Sequence, residues 1–171
     1  MLEEFRKEAV VYEDELMRVL FVLGSGGHTA RGLILSNQIR AEKSFIVPWE
    51  SEVTKKKVQR NYFSVLSPRF RAKDNVLMTV LRTLILFLHS LLILLVVRPK
   101  AVISTGSGLT IPPFLIAKFL RIKTIYIESP SRVYRPSIAG KLLIGKVDLW
   151  LSSWPELAER YKGVEYRGMV F

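Results

Sequence analysis

Five uninterrupted apolar residues, Val19-Leu20-Phe21-Val22-Leu23, run directly into Gly24-Ser25-Gly26-Gly27-His28-Thr29. A short apolar strand that ends on a glycine-rich turn and re-enters as a helix is a βα unit. Its turn leaves backbone N–H groups at the helix N-terminus facing outward, a seat suited to a phosphate or diphosphate. Glycine serves such a turn because it accepts positive φ and lets a ligand approach the backbone closely. His28 stands at the mouth of that seat, and its imidazole is a candidate general base. The plainer alternative is a tight turn carrying a solvated histidine.

The same alternation continues along the chain. Apolar β-branched runs predict strands at 19–23, 44–47, 62–66, 101–104, 124–127 and 149–152, with a last extended segment near 165–166. Between them the spacing predicts helices over 29–42, 52–60, 76–97, 112–120 and 136–144, and a short one from Pro155. Pro112 and Pro155 fall near helix starts, where a missing N–H costs little. Continuous apolar strands alternating with helices specify an α/β fold: a Rossmann-like, mostly parallel sheet with helices on both faces. Residues 18–171 are expected to form one such domain behind a charged lead, 1–17. Ligands in these sheets bind beyond the carboxyl ends of the strands. Segments 24–29, 105–110 and 128–135 all fall there, which implies one shared cleft.

The 171 residues carry a formal charge of +11 while 49% of them are hydrophobic. The charge calls for an anionic partner, and the apolar content turns the expectation from nucleic acid toward an anionic membrane surface. Nucleic acid is not expected, since no aromatic stacking platform is interleaved with the basic residues. The chain has no cysteine, which excludes disulfides and thiolate sites, and its two histidines, His28 and His89, do not make a metal centre. No metal and no cofactor are expected. The mixed, charged lead is not a secretory signal peptide, so the chain is expected at the cytoplasmic face of a membrane.

Residues 76–97 contain only Arg82 and His89 as ionisable members. At about 1.5 Å per residue this helix is long enough to cross a hydrocarbon core. It lies between two strands of one sheet, however, and a crossover helix must return to that sheet. Thr79, Arg82, Thr83, His89 and Ser90 recur at helical spacing and predict one polar stripe on a leucine-rich cylinder, with His89 packing rather than binding. Arg69, Arg71 and Lys73 before the helix, and Arg98 and Lys100 after it, frame apolar surface with cations, the pattern of shallow insertion among anionic headgroups. A fully buried core helix and a spanning helix are the alternatives.

In this order, several motifs resemble the acceptor-binding half of GT-B glycosyltransferases related to MurG, and most closely the Alg14-type membrane subunit of a two-part transferase. The residues are Gly24-Ser25-Gly26-Gly27-His28-Thr29; Ser104-Thr105-Gly106-Ser107-Gly108 with Ile111-Pro112-Pro113; and Tyr126-Ile127-Glu128-Ser129 with Ser131-Arg132-Val133. Trp154-Pro155-Glu156-Leu157 and Tyr166-Arg167-Gly168 add to them. The resemblance covers nearly the whole chain and implies a fold equivalent to the N-terminal half of a GT-B enzyme. It implies a UDP-sugar transferase that adds GlcNAc, or a similar sugar, with inversion to a polyprenyl-linked phosphate or diphosphate sugar. In MurG a second domain holds the UDP-sugar, so a separate, Alg13-like donor-binding subunit is implied, and the chain alone is expected to be inactive. Eukaryotic relatives carry an N-terminal membrane helix where this sequence has its charged lead, which leaves docking to 76–97.

The resemblance also implies residue roles. His28 is the first candidate base, or a phosphate contact that takes no proton. Glu128 is the second, as a base or as a carboxylate orienting a sugar hydroxyl, unless it is spent in an ion pair with Arg132 or Arg135. Gly24, Ser25, Gly26, Gly27 and Thr29 on the first turn, and Gly106, Ser107 and Gly108 on the second, are expected to hold acceptor phosphate. Ser129 and Arg132 are expected beside them. Glu50 and Glu52 are weaker candidates for sugar contacts, and Lys55-Lys56-Lys57 reads as a solvated face. Trp154 and Glu156 are candidates for the edge that meets the donor subunit. A non-catalytic membrane scaffold of the same fold is the competing reading.

Overall fold

The computed structural model describes residues 17–68 and 75–168. Seven strands form one sheet in the order β3-β2-β1-β4-β5-β6-β7, every neighbouring pair parallel. They are β1 (Arg18–Val22), β2 (Glu42–Pro48), β3 (Tyr62–Val65), β4 (Ala101–Ser104), β5 (Lys123–Ile127), β6 (Leu149–Ser152) and β7 (Glu165–Tyr166). The helices are α1 (Gly27–Gln38), α2 (Glu52–Val58), α3 (Val76–Val97), α4 (Ile111–Phe119), α5 (Ile138–Leu143) and α6 (Pro155–Arg160). The chain builds outward from β1 to β3, then α3 carries it back across the sheet to β4 on the other side of β1. The strand order therefore reverses between β1 and β4, the position where sheets of this type open a crevice.

Successive residues of β1 face opposite ways, and both ways are inside. Val19 and Phe21 join a core with Phe45, Val47 and Ile103 that α1 covers, while Leu20 and Val22 join a second core with Leu86, Leu94, Val102 and Phe114 beneath α3 and α4. The absence of polar alternation in the strands has this cause.

Element boundaries moved where pairing or capping outweighed periodicity. The first helix ends at Gln38 instead of running to 42, because Glu42 and Lys43 pair with Arg18 and Val19 at the start of the ladder. The helix expected over 52–60 stops at Val58, where Gln59 turns left-handed at φ 62°. The helix expected over 136–144 is shortened to Ile138–Leu143 by Ser137, whose side chain accepts from the Gly140 amide and caps it.

Helix α3 departs further from expectation. Its polar residues lie along one side, and that side is the one that packs toward the sheet. Ser90 is fully buried and returns its hydroxyl to the Leu86 carbonyl at 2.6 Å, as Thr83 does to Thr79 at 2.7 Å. His89, expected to pack, is exposed. What the helix buries is a narrow strip of Leu86, Ser90, Ile93, Leu94 and Val97. Leu77, Leu84, Leu88, Leu92 and Val96 face outward. Only 28% of its most apolar 18-residue stretch is buried, so it is not a core helix. Arg82 lies level with the carboxyl edge of the sheet, beside Trp49 and Leu66, and Val97 lies level with the amino edge, beside Arg18 and Tyr62. Lead residues 1–16 and the cations Arg69, Arg71 and Lys73 lie outside the described residues.

Candidate functional site

The two glycine turns leave the carboxyl ends of β1 and β4 and pack against each other. A Cβ on Gly24 would lie 2.9 Å from that of Ser107, so the turns meet where one side chain is missing. Gly106 needs its lack of a side chain for a second reason: its φ is 85°. A Cβ there would meet the Tyr126 hydroxyl at 3.3 Å, and both Glu128 Oε1 and His28 Cε1 at 3.5 Å. Imidazole and carboxylate thus flank one backbone position, separated by no more than twice that last distance. Between the turns, Gly24, Ser25, Pro48, Ser67, Ser107 and Gly108 line a cavity of about 220 Å³.

His28 is half-buried in the first turn of α1, with Nδ1 2.9 Å from the Thr105 carbonyl oxygen. A carbonyl only accepts, so Nδ1 is the donor, and in the neutral ring the lone pair is on Nε2. Thr105 Oγ1 donates in turn to the His28 backbone carbonyl at 2.8 Å, which ties the main chain at His28 to the second turn. Polar groups beneath the turns are consumed internally. Thr29 is 2% exposed and donates to the Gly24 carbonyl at 2.9 Å, with the Thr54 hydroxyl 3.0 Å away. Ser104 Oγ donates to the Val22 carbonyl at 2.8 Å. Thr29 therefore shapes the first turn from below, while Ser25, Gly26 and Gly27 are exposed along its rim.

The loop after β5 forms the third wall. Glu128 is 1% exposed. Its Oε1 accepts the Ser129 amide at 2.9 Å, and its Oε2 accepts the Ser137 amide and hydroxyl at 2.8 and 2.9 Å. One carboxylate thereby clasps both ends of the 129–137 loop. The Tyr126 hydroxyl lies 3.0 Å from Ser137 Oγ; burial above all, then the Glu128 charge, pushes its phenol well above the ordinary range, so it stays protonated. Arg31, one turn along α1 from the glycines, donates to Ser129 Oγ at 3.2 Å and bridges the first and third walls. Arg132 is exposed on the loop. Trp154 turns its indole N–H onto the Pro130 carbonyl, and Glu156 is half-buried beside it with Oε2 unpartnered.

Beyond Pro48, a wider cavity of about 430 Å³ is lined by Trp49, Glu50, Glu52, Leu66 and Arg82. Glu50 receives the Ser67 amide at 3.2 Å and hydroxyl at 2.9 Å, pinning the end of β3 to the site. Lys55 lies 4.4 Å from the centre of the Trp49 ring and 2.8 Å from Glu52, so it is not merely a solvated cation.

The structure thus brings together His28, Glu128, both glycine turns and Ser129, and sets Trp154 and Glu156 at one side. Sequence reasoning missed Arg31 and the orienting Thr105 carbonyl. It also missed the clasp by Ser137. Arg31 had a readable signal, four residues after Gly27 on the same helix face; a backbone carbonyl and a loop serine had none.

A family model described as "Oligosaccharide biosynthesis protein Alg14 like" matches residues 19–170. The UDP-N-acetylglucosamine transferase subunit alg14 of Schizosaccharomyces pombe is 30% identical, covering 89% of this chain and 82% of its own. The Mus musculus subunit ALG14 is 26% identical, covering 91% and 84%. Among solved structures, Acinetobacter baumannii MurG superposes with a TM-score of 0.72 at 13% identity, over 88% of this chain and 45% of that one. The Neisseria meningitidis UDP-GlcNAc 2-epimerase superposes with a TM-score of 0.64 at 15% identity, over 90% and 47%. The chain spans about half the length of these two structures, and at such identity the likeness is one of fold: the Rossmann-like half of a GT-B protein. The family match is of another order, running through all seven strands and both glycine turns, and by it the chain belongs to the Alg14-like family of oligosaccharide biosynthesis proteins.

Proposed function

We propose that this chain is the acceptor-recruiting subunit of a UDP-sugar glycosyltransferase, working with a separate donor-binding subunit at the cytoplasmic face of a membrane. The names of its relatives support a transferase subunit for UDP-GlcNAc. The observation that carries the chemistry is the His28–Thr105 hydrogen bond, which commits Nδ1 to the protein and leaves Nε2 as the ring nitrogen that can exchange a proton with substrate. A hydroxyl of a polyprenyl-linked sugar attacks the anomeric carbon of UDP-GlcNAc. The bond from that carbon to the UDP oxygen breaks, UDP leaves with the electron pair, the configuration inverts, and Nε2 of His28 takes the hydroxyl proton.

Exposed backbone at Ser25, Gly26, Gly27 and Gly108 receives the acceptor phosphates, with Arg31 and Arg132 supplying charge. Glu128, with both carboxylate oxygens engaged inside the protein, holds the third wall in place and leaves proton transfer to His28. The outward face of α3 lies among lipid headgroups and brings the site to a membrane-embedded acceptor. The edge around Trp154 and Glu156 receives the donor subunit, a reading supported by the half-buried tryptophan and the unpartnered Glu156 Oε2 at one side of the site.

Turnover in the complex reconstituted with the donor subunit tests the assignment. His28→Ala is expected to lower turnover by about 10²–10⁴-fold with acceptor affinity nearly unchanged. Weaker acceptor binding that His28→Asn partly restores would make the histidine a phosphate contact. A complex that tolerates both His28→Ala and Glu128→Gln would reduce the chain to a scaffold. Near-normal turnover in His28→Ala with none in Glu128→Gln would transfer the base to the carboxylate.

A further inference from the structure

The amino edge of the sheet, opposite the glycine turns, holds a cavity of about 420 Å³ whose walls include Arg18, Glu42, Gln59, Arg60, Asn61 and Tyr62. It contains two arginines against one carboxylate. Among the described residues, neither Arg18 nor Arg60 is in an ion pair. The loop carrying Arg60 has an uncommon shape, since both its neighbours are left-handed without being glycine: Gln59 at φ 62° and Asn61 at φ 54°. Such conformations persist only where surrounding structure fixes them.

Phe63 and Val96 line this cavity and also the next one, a wholly apolar groove of about 270 Å³ completed by His89, Leu92 and Ile93. A cationic pocket therefore opens into an apolar channel along the flank of α3, on the helix whose remaining surface is exposed leucine. From these juxtaposed cavities we infer a binding site for an anionic phospholipid, its headgroup phosphate between Arg18 and Arg60 and an acyl chain against Phe63, Leu92 and Val96. Paired guanidinium groups suit a phosphate, and the groove supplies apolar burial that a soluble anion would not use. The site is distinct from the acceptor's. The helix from Arg82 at the carboxyl edge to Val97 at the amino edge separates them by roughly 20 Å at 1.5 Å per residue. The inference rests on the membrane docking proposed above.

Residues 1–16 are the competing occupant: they precede Arg18 and carry six carboxylates against two cations. A lipid is favoured because the groove continues an exposed apolar helix face, which an acidic segment leaves uncovered.

The test uses the full chain, with vesicles of phosphatidylcholine alone or mixed with phosphatidylserine. Arg18→Ala with Arg60→Ala is expected to weaken binding to the mixed vesicles about thirtyfold and to leave binding to neutral vesicles unchanged. Lys146→Ala with Lys162→Ala removes the same charge in the loops before β6 and β7, at the other end of the sheet, and is expected to cost threefold or less. Glu42→Gln is expected to strengthen binding. Equal losses in the two double variants would mean diffuse electrostatics and overturn the site. Failure to bind any vesicle would overturn membrane docking as well, so the two readings fail separately.

Short-chain phosphatidylserine against glycerophosphoserine decides between a lipid and a free anion; equal affinity would refute the lipid. A chain beginning at residue 17 lacks six carboxylates and two cations and is expected to bind mixed vesicles more tightly, by the same factor with or without Arg18→Ala and Arg60→Ala. A gain confined to the chain that keeps both arginines would show that the acidic lead holds the pocket, and would overturn the proposal.

Discussion

The carboxyl edge of the sheet and the outward face of α3 break the ordinary rule of burial in opposite directions. At the edge, polar groups are inside: Thr29, Thr54, Ser104, Thr105, Thr110, Glu128 and Ser129 are all buried, and almost every hydroxyl and carboxylate oxygen among them has a partner. On α3, apolar groups are outside: Leu77, Leu84, Leu88 and Leu92 are each more than half exposed. A domain selected for stability alone would do neither. The buried polar edge holds backbone and imidazole in one geometry, the requirement of a site that must receive charge without rearranging. The exposed helix has no such network and keeps its shape through a strip one residue wide. The first region is built to stay fixed, and the second to be covered by something else.

Substitutions that respect one region and violate the other should separate them. The largest effect is expected at Gly106, where Val must adopt a left-handed backbone and displace Tyr126, Glu128 and His28; a loss of about 4 kcal/mol of stability, with turnover abolished, is expected. Gly26 is left-handed too, at φ 61°, but a Cβ there meets nothing within 4 Å. Gly26→Ala should therefore cost about 2 kcal/mol, all of it backbone strain, since its ψ of −125° lies outside the αL well. Chemical denaturation of the two variants measures the difference, and equal costs would mean that the enclosure at Gly106 is unimportant.

On α3 the contrast lies between faces. Leu86→Ala opens a cavity in the core and should cost about 3 kcal/mol. Leu88, two residues on, is 64% exposed. Leu88→Ala should change stability by less than about 0.5 kcal/mol yet weaken vesicle binding about tenfold. A Leu88→Ala variant that unfolds more easily in water would show that this face has an intramolecular partner.

A modest effect is expected at Asp148, where the amino edge shows ordinary surface electrostatics. Burial works against its charge, but hydrogen bonds from Lys118 and from the hydroxyl and amide of Thr124 outweigh it and hold its pKa at about 2. The folded value lies below the unfolded one, so the unfolded chain binds the extra proton first. The stabilisation is therefore present above the usual aspartate range and is lost as pH falls toward 2. The partner lysine is half-exposed, so the pair is screened by solvent. Asp148→Asn should remove about 1 kcal/mol near neutral pH and flatten the acid limb of the stability profile.

The fold was largely legible in the sequence because most strands contain an apolar run short enough to exclude a helix, and most turns carry glycine or proline, although 39–41, 59–61 and 120–122 carry neither. The reversal between β1 and β4 was foreseeable only as a consequence of parallel crossovers. At the site, the two glycine turns and His28 were legible through local spacing. The groups that hold them were not: the Thr105 carbonyl and Ser137 reach their partners through pairing of distant strands, and backbone atoms leave no trace in a residue string. The polar stripe on α3 was legible, but the face it takes was not, for a related reason. Thr83 and Ser90 satisfy their hydroxyls on the preceding turn, so a serine counts as nearly apolar there and can face the core.

Helix α3 buries no residue before Leu86. Its first turns, level with or past the carboxyl edge, bury no side chain fully, and a helical end with so little packing is marginal in water. Amide hydrogen exchange should therefore be graded along one continuous helix. Amides of residues 80–84 should open by local fraying at little free-energy cost, and those beyond Ser90 only with the whole sheet. Lipid would erase the gradient by solvating the leucines that water leaves unsupported. The slope of protection from Val76 to Val97 then reads out, residue by residue, how much of the helix has left the aqueous phase.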